Sequence, residues 1–332
     1  MEALKPASTS RSTVSNTAAR SPAASASAKP RARDGKAKRA KAPKPAKGAS
    51  DTSPGARDRV LDREVAIKLL REDALSSDTL ARFRQEVQVT AQLEHAHILH
   101  VYDTGAYDGR PYIVMELASG RTLADRLDRE GQLPIVDALQ IARDVGLALA
   151  YAHSHGVVHR DVKPENILLG SSGAILADFG IARVTAEDRM RRITSAGTAV
   201  GTVLYMSPEQ LCAEPKIDAR SDQYSLACVL YEMLAGVRPH SAATFEGLRL
   251  LRMTGQCVPV SAHRPSVAAN VDDAIAVALS PMVADRFRSM EEFLAAMRVN
   301  ASGEFSTSGS ATAIRRSGGY GAIEVNGATR GR

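Results

Sequence analysis

The sequence predicts an α+β chain in which a small sheet lobe precedes a larger, mainly helical lobe, with a low-complexity tail at either end. Three observations carry that prediction. Strand patterns come early, at REVAIKLL (63–70) and PYIVMEL (111–117). Helical periodicity takes over from TLADRLDRE (122–130) and runs to residue 298, while large aliphatic side chains are nearly absent before Val60. With 44% apolar residues in 332, the middle of the chain has ample material for a sizeable core.

Taken in order, residues 1–55 are mostly Ala, Ser, Pro and Lys, with Leu4 and Val14 their only larger aliphatic side chains. Such a segment buries too little apolar surface to offset its ordering entropy, so a disordered tail is predicted. Its first fifty residues hold twelve Lys or Arg against Glu2 and Asp34, a charge of +10, so the remaining 282 residues of the chain sum to −4 although the whole is +6. Twelve basic residues would favour weak, non-specific acidic partners. Without interleaved aromatic residues for base stacking, specific nucleic-acid recognition is not expected.

REVAIKLL alternates Val65, Ile67 and Leu69 on one face with Ala66 and Lys68 on the other, a strand carrying one lysine among small neighbours. SSDTLARFRQEVQVTAQL (76–93) reads as a helix with Ser77 or Asp78 as cap and Leu80, Phe83, Val87 and Leu93 as its apolar stripe. Asp108-Gly109 signals a hairpin into PYIVMEL. The long helix PIVDALQIARDVGLALAYAHSHG opens with Pro134 and can end at Gly156, and three or four more helices fit between 220 and 298. Residues 299–332, rich in Ser, Gly and Thr, form a second predicted disordered tail.

No window approaches the eighteen or more apolar residues of a membrane span, and no apolar signal core follows the N-terminal basic residues. Cys212, Cys228 and Cys257 are an odd set without a CxxC pair, which suits neither a disulfide scaffold nor a zinc site. A cytoplasmic protein is the expectation. His153, His155 and His159 read as helix-end and core histidines rather than metal ligands.

The sharpest segment is HRDVKPEN at 159–166, followed by DFG at 178–180, Gly201-Thr202 and SPE at 207–209. In that order and spacing, together with VAIK at 65–68, these motifs resemble the bacterial-type, eukaryotic-like serine/threonine protein kinase family over about residues 56–298. The resemblance implies a two-lobed kinase fold: a small antiparallel β-sheet lobe with one helix (56–117) and a helical lobe (118–298). It further implies transfer of the ATP γ-phosphate to Ser or Thr hydroxyls of protein substrates.

Phosphoryl transfer needs an aligned hydroxyl, metal ions on the phosphates and neutralised charge, rather than covalent work by the protein. By resemblance, Asp161 orients the substrate hydroxyl and Lys163 approaches the γ-phosphate. Asn166 and Asp178 supply oxygen ligands to Mg²⁺, with Mn²⁺ as the alternative metal. Lys68 holds the α and β phosphates and is steadied by Glu86. Adenine lies between Ala66 and Leu168, against the backbone of Glu116 and Ala118, with Met115 limiting pocket depth. The DxKxxN spacing is similar to that of serine/threonine enzymes, and Thr202 resembles the hydroxyl that meets Asp161 and Lys163. Val203 departs from the family pattern, where proline is common at that place. Thr194, Ser195 and Thr198 are candidate autophosphorylation sites whose phosphate would pair with Arg160. Asp222 resembles the buried brace of the catalytic loop, and Arg286 the partner of Glu209.

One family feature is missing from the sequence. The Gly-rich loop GxGxxGxV and its two flanking strands are expected just ahead of REVAIK; ARDRVLDREVAIK (56–68) resembles the end of the second strand running into the third, but upstream stand only SDTSPG and the basic tail, so the kinase region reads as N-terminally truncated. A displaced start, an impaired enzyme or compensation by another segment would account for this. RRSGGYGAIEVNGATR (315–330) is a weak candidate for the last. The alternative to an active kinase is therefore a pseudokinase or scaffold with impaired ATP turnover.

Overall fold

The computed structural model describes residues 51–69, 87–107, 110–118, 120–179 and 201–297. The first element is strand β1 (Asp51–Asp58), which pairs antiparallel with β2 (Arg63–Leu69). Asp58 shapes the turn between them by accepting hydrogen bonds from the amides of Val60 (3.0 Å) and Leu61 (3.2 Å). With β3 (Val101–Tyr107) and β4 (Arg110–Glu116) they form one four-stranded antiparallel sheet in the order β1-β2-β4-β3. Tyr107 pairs with Arg110 across the β3–β4 connection. Asp108 and Gly109, read as the hairpin signal, lie outside the described residues, as does the stretch 70–86 that holds most of the helix expected at 76–93.

This sheet corrects the sequence reading at its edge. Residues 51–55 are read there as tail, with only the end of a strand from residue 56; the structure has the whole strand β1 in that place, beginning at Asp51. DTSPGARD gives no alternating apolar signal because an edge strand needs only backbone pairing to one neighbour. Pro54, which cannot donate to a ladder, falls in the register irregularity between Ser53 and Ala56, beside Gly55 at φ 87°.

The second lobe starts with a short strand, β5 (Arg121–Thr122), and helix α1 (Leu123–Glu130), which opens with a reciprocal cap between Thr122 and Asp125. Helix α2 (Ile135–Ser154) follows Pro134 and buries Leu139, Ala142, Val145, Leu149 and Ala152, spaced by three and four. A 3₁₀ turn (Pro164–Asn166) leads into the hairpin β6 (Ile167–Gly170) and β7 (Gly173–Leu176), which joins β5 in a three-stranded sheet. After a 3₁₀ turn (Gly201–Tyr205) come α3 (Pro208–Leu211), the buried α4 (Arg220–Ala235) and α5 (Phe245–Thr254). Then follow α6 (Val260–His263), α7 (Ala269–Ala278) and α8 (Met290–Ala296).

The main core packs α2 and α4 against each other and against β6, β7, α7 and α8. A smaller core of Ala66, Val87, Leu99, Ile113, Met115 and Ala177 sits under the four-stranded sheet. The lobes are tied where Leu99 donates to the Leu176 carbonyl and Leu176 to that of His97, both at 2.9 Å. Between the lobes Lys68 of β2 meets Asp178, which lies two residues after β7, at 2.6 Å.

Candidate active site

The catalytic loop is held from below by one carboxylate. Asp222, in the first turn of α4, is fully buried and accepts from the amide of His159 (2.8 Å), the amide of Arg160 (2.7 Å) and the His153 ring (2.8 Å). Burial pushes the Asp222 carboxyl up, but His153, His159 and the Arg160 amide outweigh it and hold it below the usual carboxylate value. Those bonds stabilise Arg160 at φ 67°, a left-handed conformation that costs about 1–3 kcal/mol for a side-chain-bearing residue. His159, also buried, offers one ring nitrogen to the Asp161 amide (3.2 Å) and points the other at the Ala177 carbonyl (2.9 Å), so neither nitrogen is available to a metal.

On that base Asp161 meets Lys163 Nζ at 2.8 Å. Asn166 Nδ2 donates to the Asp161 carbonyl (2.8 Å) and to its carboxylate (3.1 Å), leaving Oδ1 of Asn166 as its remaining acceptor. The Asn166 carbonyl accepts from Ala177 (2.8 Å), so the catalytic loop is hydrogen-bonded to the residue before Asp178. Asp178 itself lies at φ 65°, and its Oδ2 is 2.6 Å from Nζ of Lys68, the next-to-last residue of β2. The two lobes thus face each other through an ammonium and a carboxylate.

Ala66 pairs with Met115 across the sheet. Both share one apolar cluster with Leu168 and Ala118, so the four apolar residues assigned to the adenine site come together. The Glu116 amide donates to the His100 carbonyl at 2.9 Å. Behind Met115 a small cavity, lined by Val87, Thr90, Leu99, Phe179 and Asp178 among others, reaches the DFG segment.

Away from the cleft, Arg286 forks onto Glu209 with two contacts of 2.8 Å, and Ser221 donates to the same carboxylate. Burial raises the Glu209 carboxyl, yet the Arg286 fork and Ser221 hold it below its ordinary value. Glu86, Thr194, Ser195 and Thr198 lie outside the described residues; Thr202 falls in the 3₁₀ turn Gly201–Tyr205. Two contributors escape sequence reasoning. His153 reads as a helix end but grips Asp222, and Gln210 of SPEQ donates to the Arg160 carbonyl at 2.8 Å. The only signal for either is its nearness to a motif.

The donor set suits a hard cation. Asp178 and Asn166 present a carboxylate and an amide oxygen, as Mg²⁺ prefers, with phosphate and water filling its other positions. Among the described residues no cluster of three or more His, Cys, Asp or Glu forms a dedicated metal cage.

Comparison with known proteins agrees with this geometry. The family model described as protein kinase domain matches residues 47–291. The serine/threonine-protein kinase PknB of Mycobacterium leprae is 38% identical over 246 residues, covering 72% of this chain and 39% of the relative. Its namesake in Mycobacterium tuberculosis is 39% identical over the same span and shares, and the probable serine/threonine-protein kinase PknB of Bifidobacterium longum 37% over 247 residues, 71% of this chain and 36% of the relative. The chain therefore spans well under half the length of these relatives.

Proposed function

This chain belongs to the protein kinase family, and from that premise we propose that it transfers the γ-phosphate of ATP to serine or threonine hydroxyls of proteins. The observation that carries the reading is the convergence in one cleft of the Lys68–Asp178 pair with the Asp161, Lys163 and Asn166 cluster.

Lys68 contributes positive charge for the α and β phosphates, and the apolar layer of Ala66 and Leu168 takes the adenine ring. Asp161 accepts a hydrogen bond from the acceptor hydroxyl and aligns its oxygen, while Lys163 offsets charge on the transferring group. The gain comes from alignment and fixed charge rather than covalent help. Magnesium held by Asn166 and Asp178 would neutralise phosphate charge. Autophosphorylation at Thr194, Ser195 or Thr198, with the new phosphate on Arg160, is the proposed regulation. No helix among the described residues is long and apolar enough to cross a membrane.

The test is phosphotransfer from labelled ATP with Mg²⁺ to the protein itself or to a Ser/Thr peptide. Wild type is expected to turn over and Asp161→Asn to fall by roughly 10³-fold or more. Wild type no faster than the variant, with nucleotide still bound, would establish the scaffold reading instead.

A further inference from the structure

Helix α5 turns Phe245, Leu248 and Arg252 inward, at i, i+3 and i+7. Two of these belong to the apolar cluster formed with Val203, Met206 and Leu211. The third is a guanidinium with no exposed surface. Among the described residues Arg252 has no carboxylate in ion-pair range. Its fork is spent on backbone: Nη1 donates to the carbonyls of Val203 (2.9 Å) and Met206, and Nη2 to that of Leu204. Ser225 of α4 donates to the carbonyl between them, Tyr205, at 2.8 Å. All four carbonyls from 203 to 206 are therefore held by side chains of two helices.

A buried cation with no counterion among the described residues is an expensive way to fill a core position, and an aliphatic residue at 252 would continue the stripe of α5 without that cost. What the arginine adds is directional: a rigid, planar donor set that fixes several carbonyls of one turn at once. That turn follows Thr202 and leads into Ser207, the cap of α3, and Gln210, which holds the Arg160 carbonyl of the catalytic loop. It also contains Val203, where the proline common in the family would have fixed φ from within.

We propose that Arg252 is a positioning residue for phosphoacceptor binding, fastening the 203–206 turn from outside so that the acceptor segment docks in register with Asp161. This deepens the kinase reading and rests on it. Arg252 itself touches neither nucleotide nor acceptor; it acts through the carbonyls it holds.

The experiment compares full-length wild type, Arg252→Met and Arg252→Lys by amide hydrogen exchange and by steady-state kinetics with a Ser/Thr peptide. Methionine keeps the bulk and loses every donor, whereas lysine keeps the charge with a poorer fork. For Arg252→Met, exchange at 203–206 should rise and peptide KM should increase about tenfold while ATP KM changes less than about twofold, with lysine intermediate. A folded Arg252→Met protein with unchanged exchange in this turn, or with ATP KM rising as far as peptide KM, overturns the proposal. Should the methionine variant not fold, Arg252→Lys decides: raised exchange confined to the turn supports the fastening role and unchanged exchange rejects it. If wild type transfers no phosphate, the kinase reading fails on that arm alone, and the exchange arm still judges whether Arg252 holds the turn.

Discussion

The two sides of the cleft hold their charged groups by different means. On the helical side the catalytic loop rests on Asp222, which is fully buried and has three donors. The SPE segment is fixed by Arg286, also buried and forked onto Glu209. On the sheet side Lys68 is placed by the ladder of β2 between β1 and β4, over a core of few buried residues, and among the described residues meets one carboxylate. The comparison teaches that the platform is fixed by buried contacts, while the facing ammonium pairs with a partly exposed carboxylate that, in the proposed reaction, it would exchange for phosphate.

The largest effect should come from the platform. Asp222→Ala leaves the His159 and Arg160 amides without an acceptor and removes what stabilises the left-handed Arg160. A cost of about 3–5 kcal/mol is expected in urea unfolding. A loss under about 1 kcal/mol would mean that water or the loop itself replaces the carboxylate, and the platform would be no firmer than the sheet side.

Much of this platform was legible in the sequence, because HRDVKPEN and DFG are contiguous runs whose spacing constrains the fold. Lys68 was legible too, since a lone lysine in an alternating strand stands out. The start of β1 was not, because DTSPG pairs through its backbone and carries no apolar alternation. Nor was Arg252: in FEGLRLLRMT an arginine at the third place of the inward stripe looks like a solvent-facing residue, and only packing shows that backbone carbonyls surround it. His153 and Gln210 act at long range in the chain, through contacts with Asp222 and Arg160 that no local pattern encodes.

A pH experiment sharpens the contrast at intermediate size. Burial, and next the charge of Arg252, push the ring of His240 down to about 4, partly offset by the Gln256 carbonyl. The folded protein therefore favours neutral His240, while the unfolded chain takes up a proton near its ordinary value of 6.5. Stability from this group is complete above about pH 6.5 and is lost as pH falls toward 4, by about 3 kcal/mol at most. His240→Gln should flatten that part of the stability profile. Arg252→Met should raise the His240 titration, read by NMR of its ring protons. A decline between pH 6.5 and 4 that persists unchanged in His240→Gln would assign it to other groups.

The smallest stability effect belongs to the sheet side. Lys68→Met keeps the aliphatic stem in β2 and removes the ammonium 2.6 Å from Asp178. The Lys68 and Asp178 side chains retain 15% and 25% exposure, so the carboxylate left behind can rehydrate toward the cleft. Unfolding should shift by about 1 kcal/mol or less, whereas phosphotransfer should fall by about 10²-fold or more if, as proposed, the lost charge serves the phosphates. Those two readouts, taken on one variant, separate a group kept for chemistry from one kept for the fold. If Lys68→Met instead cost as much stability as Asp222→Ala, the Lys68–Asp178 pair would be part of the scaffold, and the asymmetry between the two sides would vanish.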